Sequence, residues 1–310
     1  MTVVKGFWST LTRNKMYLLM ISPMLIFFFI FSYVPMVGIY YAFTNYDFSK
    51  GLFGSDFVGW DNFKFLFVGG SDAIIWKLTR NTILYNLAFL LLGNLLQIIV
   101  AITISELPGK FIKKTSQSIM FLPYFISYVI VAVFIYHIFN YDYGLANQAI
   151  KTFHGEPVNF YAEPGAWKYI LVSVALWKGV GYGTVIYLAT LAGIDRTMYE
   201  AAELDGANIF QKIRYITLPS LKPTFFILLL FNIGTMLKGQ FDLFYQVIGR
   251  NGLLYDATDI IDTYVYRSLT VNFDIGLGTA AGLYQSFFGL VLILIVNKII
   301  KRINPDYALF

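Results

Sequence analysis

Six stretches of the chain stay apolar for about 20 residues or more, the length a helix needs to cross a bilayer. They run over residues 16–43, 81–104, 119–140, 169–192, 224–243 and 277–300. The fifth is the least uniform, since it holds Lys238 and Asp242. The first could pass for a signal peptide. It is too long for one, and no small-residue cleavage site follows it, so it reads as a retained helix. Pro23 and Pro35 lie inside it and predict a kink, which a spanning helix tolerates where neighbours satisfy the freed carbonyls. Between the first two stretches, residues 58–63 are placed to start a short interfacial helix.

The basic residues orient these spans. With the N-terminus inside, the inner segments hold thirteen Lys and Arg residues and the outer loops six, although the outer loops are longer. Positive charge favours the cytoplasmic side. Segments 1–15 and 301–310 are therefore expected in the cytoplasm, and the whole of 1–310 reads as one transmembrane domain. The same asymmetry accounts for the net charge of +5 without nucleic acid.

Composition agrees. The chain is 57% hydrophobic and 13% charged, about half the charged share of a soluble domain. There is no cysteine, so disulfides, thiolate nucleophiles and Cys-ligated zinc are excluded. With only His137 and His154, no metal site is expected. No phosphate-binding loop occurs; Gly109-Lys110 runs into Phe111. The chain is expected to bind no cofactor and to be no enzyme. No low-complexity tract or internal repeat is visible.

The most informative segment lies between spans four and five, at 193–223. Glu200-Ala201-Ala202-Glu203-Leu204 favours helix. Gly206 permits the left-handed turn that ends it. Ile209, Phe210 and Ile213 give a second helix one apolar face, and Pro219 is expected to stop it. Such an amphipathic hairpin can lie on lipid, pack on its own bundle, or dock into a partner.

The segment resembles the EAA loop of binding-protein-dependent ABC permeases at Glu200, Ala201, Ala202, Asp205, Gly206, Ala207, Ile216, Leu218, Pro219 and Pro223. Ile213 stands where many members carry Phe. The likeness extends to Tyr33-Val34-Pro35-Met36-Val37-Gly38, to Phe121-Leu122-Pro123-Tyr124-Phe125-Ile126-Ser127 and to Thr263-Tyr264-Val265-Tyr266-Arg267. These look like the lipoprotein/polysaccharide-type sugar permeases. The resemblance implies an all-α bacterial inner-membrane protein with six spans and a coupling helix between spans four and five. It implies an importer of oligosaccharide or polysaccharide fragments. Its expected partners are a second, related permease, two ATPase subunits inside that carry ATP and Mg, and a sugar-binding protein outside. Glu200 would then face a basic group on the ATPase. For Asp205, a local turn contact and a direct ATPase contact both stand. Non-sugar cargo, or an ion-gradient-driven transporter, are the alternatives.

A sugar path needs hydroxyl partners and flat aromatic faces. Candidates within the spans are Tyr128, Tyr136, Trp177, Lys178, Tyr182, Asn232, Lys238, Asp242, Tyr284 and Gln285. Asn81, Asn86, Asn94, Gln97 and Gln240 are further polar positions. Any of these can instead bond neighbouring helices. Lys238 and Asp242, four apart, would share a helix face and pair. Lys178 has no such local partner. It either meets an acidic or richly hydroxylated sugar or faces an outer water-filled cavity, paired with a loop acid. Gly179 with Gly183, and Gly278 with Gly282, have the spacing of close helix packing.

Overall fold

A computed structural model of the chain describes residues 14–70 and 73–303. Most of the expected cytoplasmic end segments, 1–13 and 304–310, lie outside the described residues. Among the described residues, five helices are long and apolar enough to cross a membrane: Lys15–Phe43, Ile74–Glu106, Pro164–Ala192, Ile209–Ile233 and Ile275–Arg302. A sixth crossing is a broken pair, Lys110–Phe125 with Tyr128–Phe139, bent by 92°. The all-α class is as expected, apart from a small antiparallel pairing of Thr44–Asn45 with Asp56–Phe57. The expected interfacial helix is present as Asp61–Leu66.

Local chemistry explains most boundaries. Ile74–Glu106 ends because Pro108 holds Leu107 extended, at ψ 143. In the first span, a wide π turn at Phe29–Tyr33 precedes Pro35 and a 3-10 stretch follows over Val34–Phe43. The proline is therefore absorbed by changes of helical pitch.

Two spans depart from the hydropathy pattern. The third is not one helix over 119–140. It breaks at Ile126 and Ser127, because Pro123 has no N–H to continue the ladder and Ser127 caps a new helix by accepting from the Ile130 N–H. The fifth does not run over 224–243. It starts at Ile209 and its helix ends at Gly234. Lys238 therefore lies in a non-helical turn and Asp242 in a separate helix, Phe241–Ile248. They share no helix face and form no ion pair among the described residues.

Side-chain bonds gather the loops into two ends. At one, Asn62 Nδ2 donates to the carbonyls of Ala42 and Thr44, at 3.0 Å each. Asn251 Nδ2 donates to Tyr161 O at 2.8 Å, and Lys77 pairs with Asp256. At the other end, Lys113 Nζ donates to Ser105 O beside residues 192–212. Alternate loops thus share an end, as six crossings require. Spans two, three and four pack with the helix Phe241–Ile248 through Tyr85, Val131, Leu171 and Phe244; spans one, two and six pack through Ala42, Leu78, Ala281 and Tyr284.

The tightest helix approach is at Gly181, where a Cβ would fall on the Met120 carbonyl. Of the two glycine pairs singled out by spacing, Gly183 packs against Gln97 and Gly278 against Leu269, while Gly179 and Gly282 have open space around them. Gly181→Ala is expected to destabilise the folded protein by about 1–3 kcal/mol, the usual cost of overpacking. Gly282→Ala is expected to be neutral. Thermal unfolding of the two variants in detergent checks this; equal midpoints would refute it.

Candidate functional site

The break in span three and the break after span five meet at mid-bundle. Each exposes backbone groups that a bilayer cannot hydrogen-bond, so protein side chains must do so. Lys178 serves the first break. Its ammonium donates to the carbonyls of Tyr124 at 2.6 Å, Ile126 at 2.5 Å and Pro123 at 3.3 Å. A lysine has three such protons, and each has its own carbonyl. The rings of Tyr124 and Tyr128 lie 5.6 and 5.0 Å from the same nitrogen. Neither expected partner of Lys178, sugar or loop acid, is needed to explain its place.

Asn86 and Asp262 serve the second break. Asn86 Nδ2 donates to Met236 O at 2.9 Å and Lys238 O at 3.3 Å. Asp262 Oδ2 accepts from the Gly239 N–H at 2.6 Å and from Gln285 Nε2 at 3.0 Å. Gln285 also donates to Leu237 O at 2.5 Å. Gly239 is obligatory here, since a Cβ would strike Ile260 and Asp262. Tyr128 joins the two breaks by donating to Gln240 Oε1 at 3.1 Å.

Two cavities open beside these breaks, of about 440 and 1000 Å³, and share the wall residues Ala175, Gly179, Gly239 and Gln240. Of the candidates from sequence, Asn232 and Lys238 line the smaller; Tyr128, Lys178 and Asp242 line the larger. The other five line neither. Tyr136 clusters with Tyr143 and Tyr161 near the loops. Trp177 is exposed, and Tyr182 stacks on Tyr124 with centroids 4.7 Å apart. Tyr284 bonds Thr79 at 3.1 Å, and Gln285 is occupied as described, so both act as bonds between elements. Asn86, Asn94, Gln97 and Gln240 do line the smaller cavity, although their amides looked no different from interhelical bonds in sequence.

The 193–223 segment forms the expected hairpin. Asp195 caps the first helix, Arg196–Leu204, by accepting from the Thr197 N–H at 3.0 Å. Gly206 takes φ 79. The Ala207 N–H donates to Ala202 O and the Gly206 N–H to Glu203 O, the paired closure of a Schellman turn. Asn208 and Gln211 then cap the second helix reciprocally, at 2.8 and 3.0 Å. Lys212 bonds Glu203 at 2.6 Å and Tyr199 bonds Thr217 at 2.9 Å, tying the two arms.

Pro219 does not stop the second helix. A π turn over Ile213–Thr217 lets the Leu218 N–H reach Ile213 O, and the wider turn accommodates the proline ring. The hairpin's second arm therefore continues into span five as one helix, Ile209–Ile233. Glu200 is exposed and its side chain has no hydrogen bond or ion pair among the described residues; the same holds for the Asp205 side chain. Leu204 is 90% exposed and Phe210 77%. Ala201, Gly206, Leu218 and Pro219 are exposed as well, whereas Ala202, Ala207 and Ile213 are half-buried.

Residues 93–305 match the family described as binding-protein-dependent transport system inner membrane component. The chain belongs to this family. Protein LplB of Bacillus subtilis (strain 168) is 33% identical to the permease over 308 residues, covering 99% of this chain and 95% of LplB. The polygalacturonan/rhamnogalacturonan transport system permease protein YteP of the same organism is 32% identical, over 96% of this chain and 91% of YteP. Among solved structures, the permease superposes on a chain of a bacterial ABC transporter involved in the import of the acidic polysaccharide alginate. The TM-score is 0.85 at 30% identity, covering 96% of this chain and 99% of that one. The family and fold expected from the hairpin motif are those found.

Lys178→Met strips the Tyr124 and Ile126 carbonyls of the Lys178 donor, while Pro123 O keeps the Ile126 N–H at 3.2 Å. Each orphaned group costs about 1–3 kcal/mol, so the permease is expected to lose at least that much stability. Trp177→Phe, on the neighbouring exposed face, is expected to stay within about 0.5 kcal/mol. Thermal unfolding in detergent compares them; a Lys178→Met midpoint equal to that of the parent would remove the bracing role.

Proposed function

We propose that this permease forms half of the translocation path of an ATP-driven importer for oligosaccharides or polysaccharide fragments, and that its hairpin at 193–223 docks into a separate ATPase. The carrying observation is the unbroken helix Ile209–Ile233, which starts in the hairpin and ends beside Asn232 on the cavity wall. At 1.5 Å per residue it spans about 36 Å. Movement of the hairpin is therefore delivered to the cavity by a rigid rod. The permease relatives named for polysaccharide transport support the cargo class.

The hairpin has the properties of a docking element. Glu200 offers an unpaired carboxylate to a basic group, and Leu204 and Phe210 offer uncovered apolar surface. The Ala201, Ala202, Asp205, Ala207, Ile213, Leu218 and Pro219 positions shape or frame this surface. Lys113, Arg196 and Lys212 at the same end fit a cytoplasmic location. Both termini are then cytoplasmic, in a bacterial inner membrane. The assembly comprises a second, related permease, two ATPases that hold ATP and Mg, and an outer sugar-binding protein. Closure of the ATPases draws the hairpins together and turns the cavity outward; hydrolysis resets it.

Two substitutions test the hairpin. Gly206→Val forces a β-branched residue to φ 79, at a cost of about 1–2 kcal/mol. Glu200→Arg reverses the docking charge. Both are expected to lower recovery of the ATPase with tagged permease, and ATP-dependent uptake, by at least about tenfold. Undiminished ATPase recovery in both variants would sink the docking role. Uptake driven by an ion gradient without ATP would sink the importer reading.

A further inference from the structure

Two lysines face the joined cavities, and their situations differ. Lys178 has its three protons committed to backbone carbonyls. Lys238 is exposed on the wall of the smaller cavity, with no hydrogen bond from Nζ and no ion pair among the described residues. Its backbone, by contrast, is fixed: its N–H donates to Thr235 O at 2.8 Å and its carbonyl accepts from Asn86. A locked turn thus presents a spare cation to an open space. Among the described residues it is the only charged one lining that cavity.

The remaining polar wall complements this cation. The Asn86 and Asn232 amino groups are spent on backbone carbonyls, which leaves their side-chain oxygens as acceptors. Gln97 makes no side-chain hydrogen bond among the described residues and offers both functions. Acceptors suit sugar hydroxyls, which need somewhere to donate. A lysine ammonium with no direct ion pair suits an anion. The nearby acids do not fill that role. Asp262 attracts the Lys238 ammonium through space but forms no ion pair with it among the described residues; its Oδ2 accepts from the Gly239 N–H and from Gln285 Nε2. Asp242 lines the other cavity, in the first turn of Phe241–Ile248, where a helix N-terminus answers its charge.

We infer that the cargo carries carboxylates, as a uronate oligosaccharide does, and that Lys238 is the residue that contacts one of them during passage. This rests on the reading of the chain as an oligosaccharide importer's permease. The test uses proteoliposomes with the whole importer and its binding protein, and three labelled probes: trigalacturonate, its trimethyl ester and maltotriose. Trigalacturonate is expected to enter in an ATP-dependent manner and at least about tenfold faster than the ester, the worth of one charge-assisted bond. Lys238→Met is expected to lose that preference by slowing the free acid while sparing the ester. Lys238→Arg is expected to restore it. A purely structural role for Lys238 would slow both probes alike. Equal slowing, or ATP-dependent uptake of ester or maltotriose at least as fast as the acid, overturns the carboxylate assignment and leaves the importer reading standing. ATP-independent uptake of any probe overturns the importer reading itself.

Discussion

A backbone carbonyl inside a bilayer must find a donor within the protein, and the centre of this structure is organised around that need. Two spans are broken at mid-bundle, and a single ammonium, that of Lys178, holds three of the freed carbonyls. Asn86, Asp262 and Gln285 do the same for the second break. With each unmade bond costing about 1–3 kcal/mol, neither break would persist without these side chains. Irregular backbone at membrane depth is tolerated where it is buried or lines a cavity, and here it lines two.

The breaks also determine what the rigid parts can do. Span five runs as one helix from the hairpin to Gly234, and the turn at 235–240 follows, bonded back to it by the Thr235 and Met236 N–H groups. Span four, 29 residues long, carries Lys178 and meets span three at Gly181 without an intervening side chain. Hairpin and cavity are thus joined by two helices that leave the same loop. Local bonds, Glu203 to Lys212 and Tyr199 to Thr217, tie the two arms of the hairpin from which both helices leave.

Much of this was legible in the chain. Hydropathy found an apolar stretch for each crossing but misjudged the course of the third and fifth, and Gly206 located the hairpin turn because few other residues accept φ 79. What hydropathy cannot register is direction. It scores solvent preference, and a span that turns by 92° is as apolar as one that does not. The signals were present but local: Pro123 followed by Ser127 as a cap, and Gly234 and Gly239 around the second break. Pro219 misled for the opposite reason. A proline rule assumes α pitch, and the π turn before it changes the pitch. The site residues were harder still. Tyr284 and Gln285 have the same chemistry as Asn232 and Lys238. Only the approach of other elements decides which pair is consumed in bonding.

That last distinction has a physical form. A polar side chain in a span is claimed by scaffold when unpaired backbone lies within its reach, and is left over when that backbone already has a donor. Lys178 projects from an intact helix toward the carbonyls of Pro123, Tyr124 and Ile126 at the break, so its charge is absorbed into structure. Lys238 sits inside a break whose carbonyls Asn86 and Gln285 already satisfy, so its ammonium has nothing in the fold to bond. Two lysines that look alike in sequence therefore end in opposite roles. The deciding quantity is the local surplus or deficit of backbone donors around each, and on that measure Lys238 is the cation left available to a ligand.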